Sequence, residues 1–255
     1  MTGDNPTLLR PHRPATDRAV PSPAALAPPD LYRFMKAIGT VLDDLGAATA
    51  RLQRAPTLAD CDAQVRRLHD TVELLSALRA EFLSLLALSS PQMPTRPGLV
   101  DAAQVCQQAV ALLHPEACRN GVRLGLRAPP SLMTWADPSL LARTVRALVS
   151  NAIRYNQPGG HALVCARATA LGGLQLRVWD SGLGLSRAQQ GRLFLPFERL
   201  GKELCLSDGT GMGLAMARSM ATLMGATLSV RSRPGRGSLF RLDLPPRLPP
   251  RPALA

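Results

Sequence analysis

The chain has 255 residues, long enough for one medium domain and a smaller one, and with 4% aromatic residues its core must be built largely from Leu, Val and Ala. A formal net charge of +12 raises nucleic acid or an anionic membrane as partners, but the basic residues are nearly all Arg, with Lys36 and Lys202 the only lysines, and they form no dense run interleaved with aromatics, which argues against nucleic acid. No apolar run approaches the roughly 18 residues of a membrane span and no signal-peptide core opens the chain, while five cysteines without a CxxC pair argue against a zinc site or disulfide framework and for a reducing, cytoplasmic compartment.

Residues 1–30 are rich in proline and poor in periodic apolar positions, so they are expected to be disordered; the proline-rich tail 246–255 reads the same way. From residue 31 to 54, Leu31, Phe34, Ile38, Val41, Leu42, Leu45, Ala48 and Leu52 recur at three-four spacing, which predicts a helix ended at Pro56. A second helix is predicted over 58–89, with Cys61, Val65, Leu68, Val72, Leu75, Leu78, Phe82 and Leu86 in register. Pro91, Pro94 and Pro97 stop it and make 91–98 a linker. The hairpin of residues 31–90 carries a stripe too wide for one neighbour, which predicts a homodimer built as a four-helix bundle. The alternative is a hairpin packed against the domain that follows it.

Over residues 99–245 helices and strands alternate. "DAAQVCQQAVALLHPEA" reads as a helix, "VRLGLRA" as a strand, and 138–155 as a long helix. "ALVCARATA" and "LQLRVWD" follow as strands, 212–224 as a helix, and "TLSVRSRPGRGSLFRLDLP" as a hairpin turning at 234–237. The expected fold class is therefore α+β: a two-helix hairpin, then an α/β sandwich with helices on one face of a mixed sheet.

Four blocks stand in order along that second part: "LVSNAIRYNQPGG" from residue 148, "VWDSGLGLS" from 178, "LFLPFERL" from 193 and "DGTGMGLA" from 208. A single glycine-rich run is weak evidence, because glycines also make turns and helix caps. The ordered set resembles the asparagine, first glycine, phenylalanine and second glycine boxes of the histidine kinase type of ATPase, the fold shared with the Hsp90, gyrase and MutL families. Residues 31–90 resemble its two-helix dimerisation and phosphoacceptor module. The resemblance implies ATP and Mg2+ as ligands and a response regulator or partner kinase as protein partner.

The chemistry of the boxes fits those ligands. Asn151, Arg154 and Tyr155 project from one side of a helix; the amide oxygen of Asn151 suits a hard cation such as Mg2+, and by resemblance Arg154 and Tyr155 meet phosphate and nucleoside. Asp180 ends a strand, where its carboxylate can accept the exocyclic amine of adenine. Gly182 and Gly184 let backbone pass close beneath the base. Phe194 and Phe197 belong to the phenylalanine box. Arg199 and Lys202 are available to phosphate, Thr210 adds a hydroxyl, and Gly209, Gly211 and Gly213, followed by Leu214, leave N–H groups at a helix start that favours anions. Where the family usually has a second asparagine, this chain has Ala147.

The first helix departs further. Aligned from Phe34, "FMKAIGTVLDDLGA" puts Thr40 where the accepting histidine should stand and Val41 where its acid should be. His12, His114 and His161 lie in incidental settings. His69, in "RRLHDTVELL", is followed by Asp70 and is similar to the phosphoacceptor motif of another histidine kinase subfamily, although it falls on the second helix; the alternative is a solvated flank histidine. Three functions follow: a histidine kinase core, a non-enzymatic ATP-binding regulator, or a kinase acting on Ser or Thr of a partner.

Overall fold

A computed structural model describes residues 28–54, 57–89, 94–198 and 210–246; the expectations for residues 1–27 and 247–255, and those for Arg199, Lys202 and Gly209, fall outside these stretches. Helices α1 (Pro28–Leu52) and α2 (Leu58–Ser89) come first. Phe34 of α1 stacks on Phe82 of α2 with ring centroids 3.7 Å apart, and Val41 clusters with Leu74 and Leu78. Ascending numbers on one helix meet descending numbers on the other, so the hairpin is antiparallel. α1 begins at Pro28, inside the segment expected to be disordered, because proline costs little where first-turn N–H groups have no intrahelical acceptor.

The face that α2 buries differs from the predicted stripe. Thr71, Leu74, Leu85 and Leu88 are buried together with Leu78 of the predicted set, whereas Val65, Val72 and Leu86 of that set are 53%, 51% and 42% exposed. The helix is apolar on more than one side. The side facing α1 and the second unit is one turn-fraction away from the side that periodicity picked out.

The second unit comprises β1 (Gly98–Asp101), α3 (Ala102–Arg119), β2 (Arg123–Arg127), β3 (Met133–Ala136), α4 (Pro138–Arg154), β4 (His161–Ala168), β5 (Leu174–Asp180), α5 (Arg187–Arg192), α6 (Gly213–Leu223), β6 (Thr227–Ser232) and β7 (Ser238–Leu244). The main sheet runs β2-β4-β5-β7-β6, with β2 parallel to β4 and the other pairs antiparallel. Alternation along β4, β5 and β7 turns Val164, Leu176, Val178, Phe240 and Leu242 inward under α3, α4 and α6. The other face carries polar residues, where Gln175 bridges Arg167 and Asp243. The α+β class and the mixed sheet with helices on one face are thus as the sequence implied.

Gly98, placed in the linker by sequence, starts β1, which pairs with β3 as a separate two-stranded sheet. Two aspartates set the helix starts. Asp101 accepts from the N–H groups of Ala103 and Gln104 to cap α3, and Asp137 accepts from Ser139 and Leu140 to cap α4, with Pro138 at the first turn. These caps fix where α4 starts and hence which of its residues reach the far end of the sheet.

Candidate functional site

β5 is the central strand and ends at Asp180, which is only 3% exposed. Its Oδ1 accepts from the N–H of Gly182 at 2.9 Å and of Ser238 at 3.2 Å, which fixes the plane of the carboxyl. Burial pushes its pKa above the ordinary carboxylate value, with those backbone donors pulling the other way. The loop after Asp180 is clamped to the end of α4: Leu183 donates its N–H to the Tyr155 carbonyl, and Asn156 donates to the Ala152 and His161 carbonyls while accepting from Ser181 Oγ.

The two glycines of this loop were expected to clear space for a base. The close approach is instead made by the chain's own backbone. A Cβ on Gly182 would collide with the Tyr155 carbonyl, and one on Gly184, at φ 65°, with the Arg233 carbonyl.

A cavity of about 1340 Å³ opens beside Asp180. α4 lays Asn151, Arg154 and Tyr155 along it, with Ala147 one turn earlier. Thr210, Gly211, Gly213 and Leu214 line it at the start of α6, whose N-cap residue Met212 makes no side-chain cap. Gly184 also lines the cavity; Gly182 is buried behind it. Arg154 is held by Glu116 of α3, which also lines the cavity, with Arg154 Nε 2.9 Å from Glu116 Oε1.

The phenylalanine box reaches the cavity through Leu193 and Glu198. Neither phenylalanine lines the cavity. Phe194 lies under the Arg218 guanidinium at 5.5 Å. Phe197, at φ 61°, turns its ring toward the hairpin, 5.4 Å from the Phe34 ring and 6.4 Å from that of Phe82.

A third wall comes from α2, with His69, Asp70, Glu73 and Glu81. His69 is 73% exposed and faces Glu73, Nε2 to Oε1 3.8 Å. Asp70 was expected to orient this imidazole. The imidazole faces Glu73 instead, because residues four apart share a helix face and adjacent ones do not. Glu73, Glu81, Glu116 and Asn156 were not picked out from sequence: Glu81 and Glu116 belong to none of the quoted motifs, and Glu73 and Asn156 lie inside quoted blocks without a pattern that marks them. Thr40, at the usual acceptor position, turns its hydroxyl back onto the Lys36 carbonyl at 3.1 Å.

Residues 136–248 match the family described as histidine kinase-, DNA gyrase B-, and HSP90-like ATPase. The chain is similar to the histidine protein kinase DivJ of Caulobacter vibrioides, 32% identical over 184 residues, covering 72% of this chain and 31% of that one. It is 38% identical over 172 residues to the sensor protein CutS of Streptomyces coelicolor, covering 67% of this chain and 41% of that one. The chain thus spans less than half the length of either relative. In fold it is similar to histidine kinase ThkA, solved in complex with response regulator protein TrrA, with a TM-score of 0.70 and 16% identity over 86% of this chain and 62% of that one.

Proposed function

The chain belongs to the histidine kinase-, DNA gyrase B- and HSP90-like ATPases, and from that premise we propose that it is an ATP-dependent histidine kinase unit of two-component signal transduction. The observation that carries this is one cavity in which Asp180, Asn151 and the start of α6 stand opposite a histidine-bearing helix.

Adenine is selected by Asp180, whose fixed carboxyl accepts the exocyclic amine, and Tyr155 flanks the nucleoside. The triphosphate runs to the start of α6, where backbone N–H groups, the Thr210 hydroxyl and the helix dipole meet negative charge. Arg154, steadied by Glu116, adds a cation at the same end. Among the described residues no group of three His, Cys, Asp or Glu is gathered to hold a metal. Asn151 offers one neutral oxygen, which suits a magnesium ion held mainly by phosphate oxygens. When bound, that ion neutralises charge on the phosphates; Ala147 leaves it one protein ligand poorer.

His69 accepts the phosphoryl group. One ring nitrogen attacks the γ-phosphorus in line while the bond to the β–γ bridging oxygen breaks and ADP departs. Glu73 faces Nε2 and stabilises the positive charge that grows on the ring. The phosphoryl group then passes to a carboxylate of a response regulator. Residues 31–90 dimerise and 99–245 bind ATP. Cys61, Cys106, Cys118 and Cys165 are unpaired, which supports a cytoplasmic setting. A second reading, a catalytically deficient ATP-binding regulator of a partner kinase or response regulator, is favoured by Thr40 and Val41 on α1.

Incubation with γ-labelled ATP separates the two. The kinase reading expects acid-labile, base-stable label on wild-type protein and none on His69→Gln. Label that persists in His69→Gln, or no label despite bound ATP, removes His69 and leaves the regulator.

A further inference from the structure

Glu81 lies on α2 where the hairpin meets the ATPase unit. Its carboxylate accepts a hydrogen bond from the Thr210 hydroxyl, a contact spanning 129 residues of sequence. Arg154, anchored by Glu116, is the cation that acts on it. Both partners belong to the phosphate end of the nucleotide site proposed above, and all three residues line the same cavity. The position is otherwise a poor one for a charge: burial raises the Glu81 pKa by more than Thr210 and Arg154 lower it. A carboxylate offers two acceptor oxygens and a negative charge, the same features a terminal phosphate presents to a hydroxyl and a guanidinium.

We propose that Glu81 is an internal stand-in for phosphate, occupying the place of the ATP terminal phosphate on Thr210 and Arg154, so that ATP enters by displacing it and thereby unlatches the ATPase unit from α2. This rests on the nucleotide reading of the cavity.

The place of Glu81 along α2 gives the unlatching a purpose. Glu81 and His69 are twelve residues apart in the sequence, roughly 18 Å along a helix at 1.5 Å per residue. While Thr210 is held at Glu81, the phosphate end is held more than three turns from the histidine. Leu85 and Leu88, next along α2, stay in the core shared with the ATPase unit and form the pivot. The Phe34–Phe82–Phe197 cluster lies beside the latch and holds the same arrangement without charge.

The test is nucleotide affinity in the full chain, measured by calorimetry with magnesium. Glu81→Gln keeps an acceptor for Thr210 and removes the charge, and Glu81→Ala removes both. Each should bind ATP about tenfold tighter than wild type and ADP less than about threefold tighter, because repulsion weakens as the terminal phosphate is removed. Phe82→Ala loosens the docking alone and should move ATP and ADP together. In wild-type protein, a non-hydrolysable ATP analogue but not ADP should raise amide exchange of residues 193–198. Variants that bind ATP no tighter, a shift equal for both nucleotides, or exchange indifferent to the analogue would each overturn the latch and leave the nucleotide site standing. Wild-type protein that binds no ATP would overturn the nucleotide reading and the latch with it.

Discussion

A buried carboxylate such as Asp180 weighs against the fold at neutral pH. Its folded pKa lies above the ordinary value, so the folded chain binds a proton more readily than the unfolded one. Its contribution to stability is therefore greatest below the ordinary carboxylate pKa and is lost as pH rises through the raised value. Asp180→Asn keeps an oxygen for the Gly182 and Ser238 N–H groups but replaces an acceptor toward adenine. At neutral pH it should melt no lower than wild type while binding ATP about 30-fold more weakly, as loss of a charged hydrogen bond worth about 2 kcal/mol implies. A thermal scan beside calorimetry checks both, and a fall in melting temperature would make Asp180 structural. Gly184→Ala should do the reverse. At φ 65° against the Arg233 carbonyl it should destabilise by about 3 kcal/mol or more in urea titration, whereas Gly213→Ala, with open space around it, should not. Asp180 and Asn151 were legible in the sequence because their boxes are contiguous. Glu81 and Glu116 were not, because their partners lie 129 and 38 residues away.

Helices and strands were legible where their period was sustained. β4, β5 and β7 alternate cleanly over seven or eight residues, and α4 has both its cap and its apolar face. β1 and β3, four residues each, are too short to carry a period. α2 misled because it has two apolar faces. One is buried against α1 and the second unit. On the other, Leu58, Val65 and Val72 recur at sevens, Arg79 takes the next such place and Leu86 the one after; the four apolar residues are 86%, 53%, 51% and 42% exposed. Seven-residue spacing is that of a helix seam against another helix, which supports the homodimer. Val65→Asp would bury an unpaired charge in that seam. Light scattering on the full chain at tens of micromolar should give twice the monomer mass for wild type and the monomer mass for Val65→Asp. Equal masses would locate the contact elsewhere.

At the scale of the whole molecule, the boundary drawn from prolines at 91–98 cuts through a shared core. Leu85 and Leu88, 4% and 1% exposed, belong to the same apolar cluster as Leu148, Leu176 and Phe240, so the end of α2 is a structural part of the ATPase unit. Sequence hides this because prolines mark where backbone regularity stops, not where side-chain packing stops. Under the latch proposed above, the same core would let the hairpin pivot without parting from its neighbour. Removing a buried leucine side chain costs its transfer energy and a cavity, about 2–5 kcal/mol. Both tryptophans, Trp135 and Trp179, lie in the ATPase unit, on β3 and β5. Leu88→Ala should therefore shift the urea transition seen by tryptophan emission to lower denaturant by about that energy, although residue 88 lies outside the unit as the prolines define it. An unshifted tryptophan transition, with only helical signal lost, would return Leu88 to the hairpin and make the two units independent.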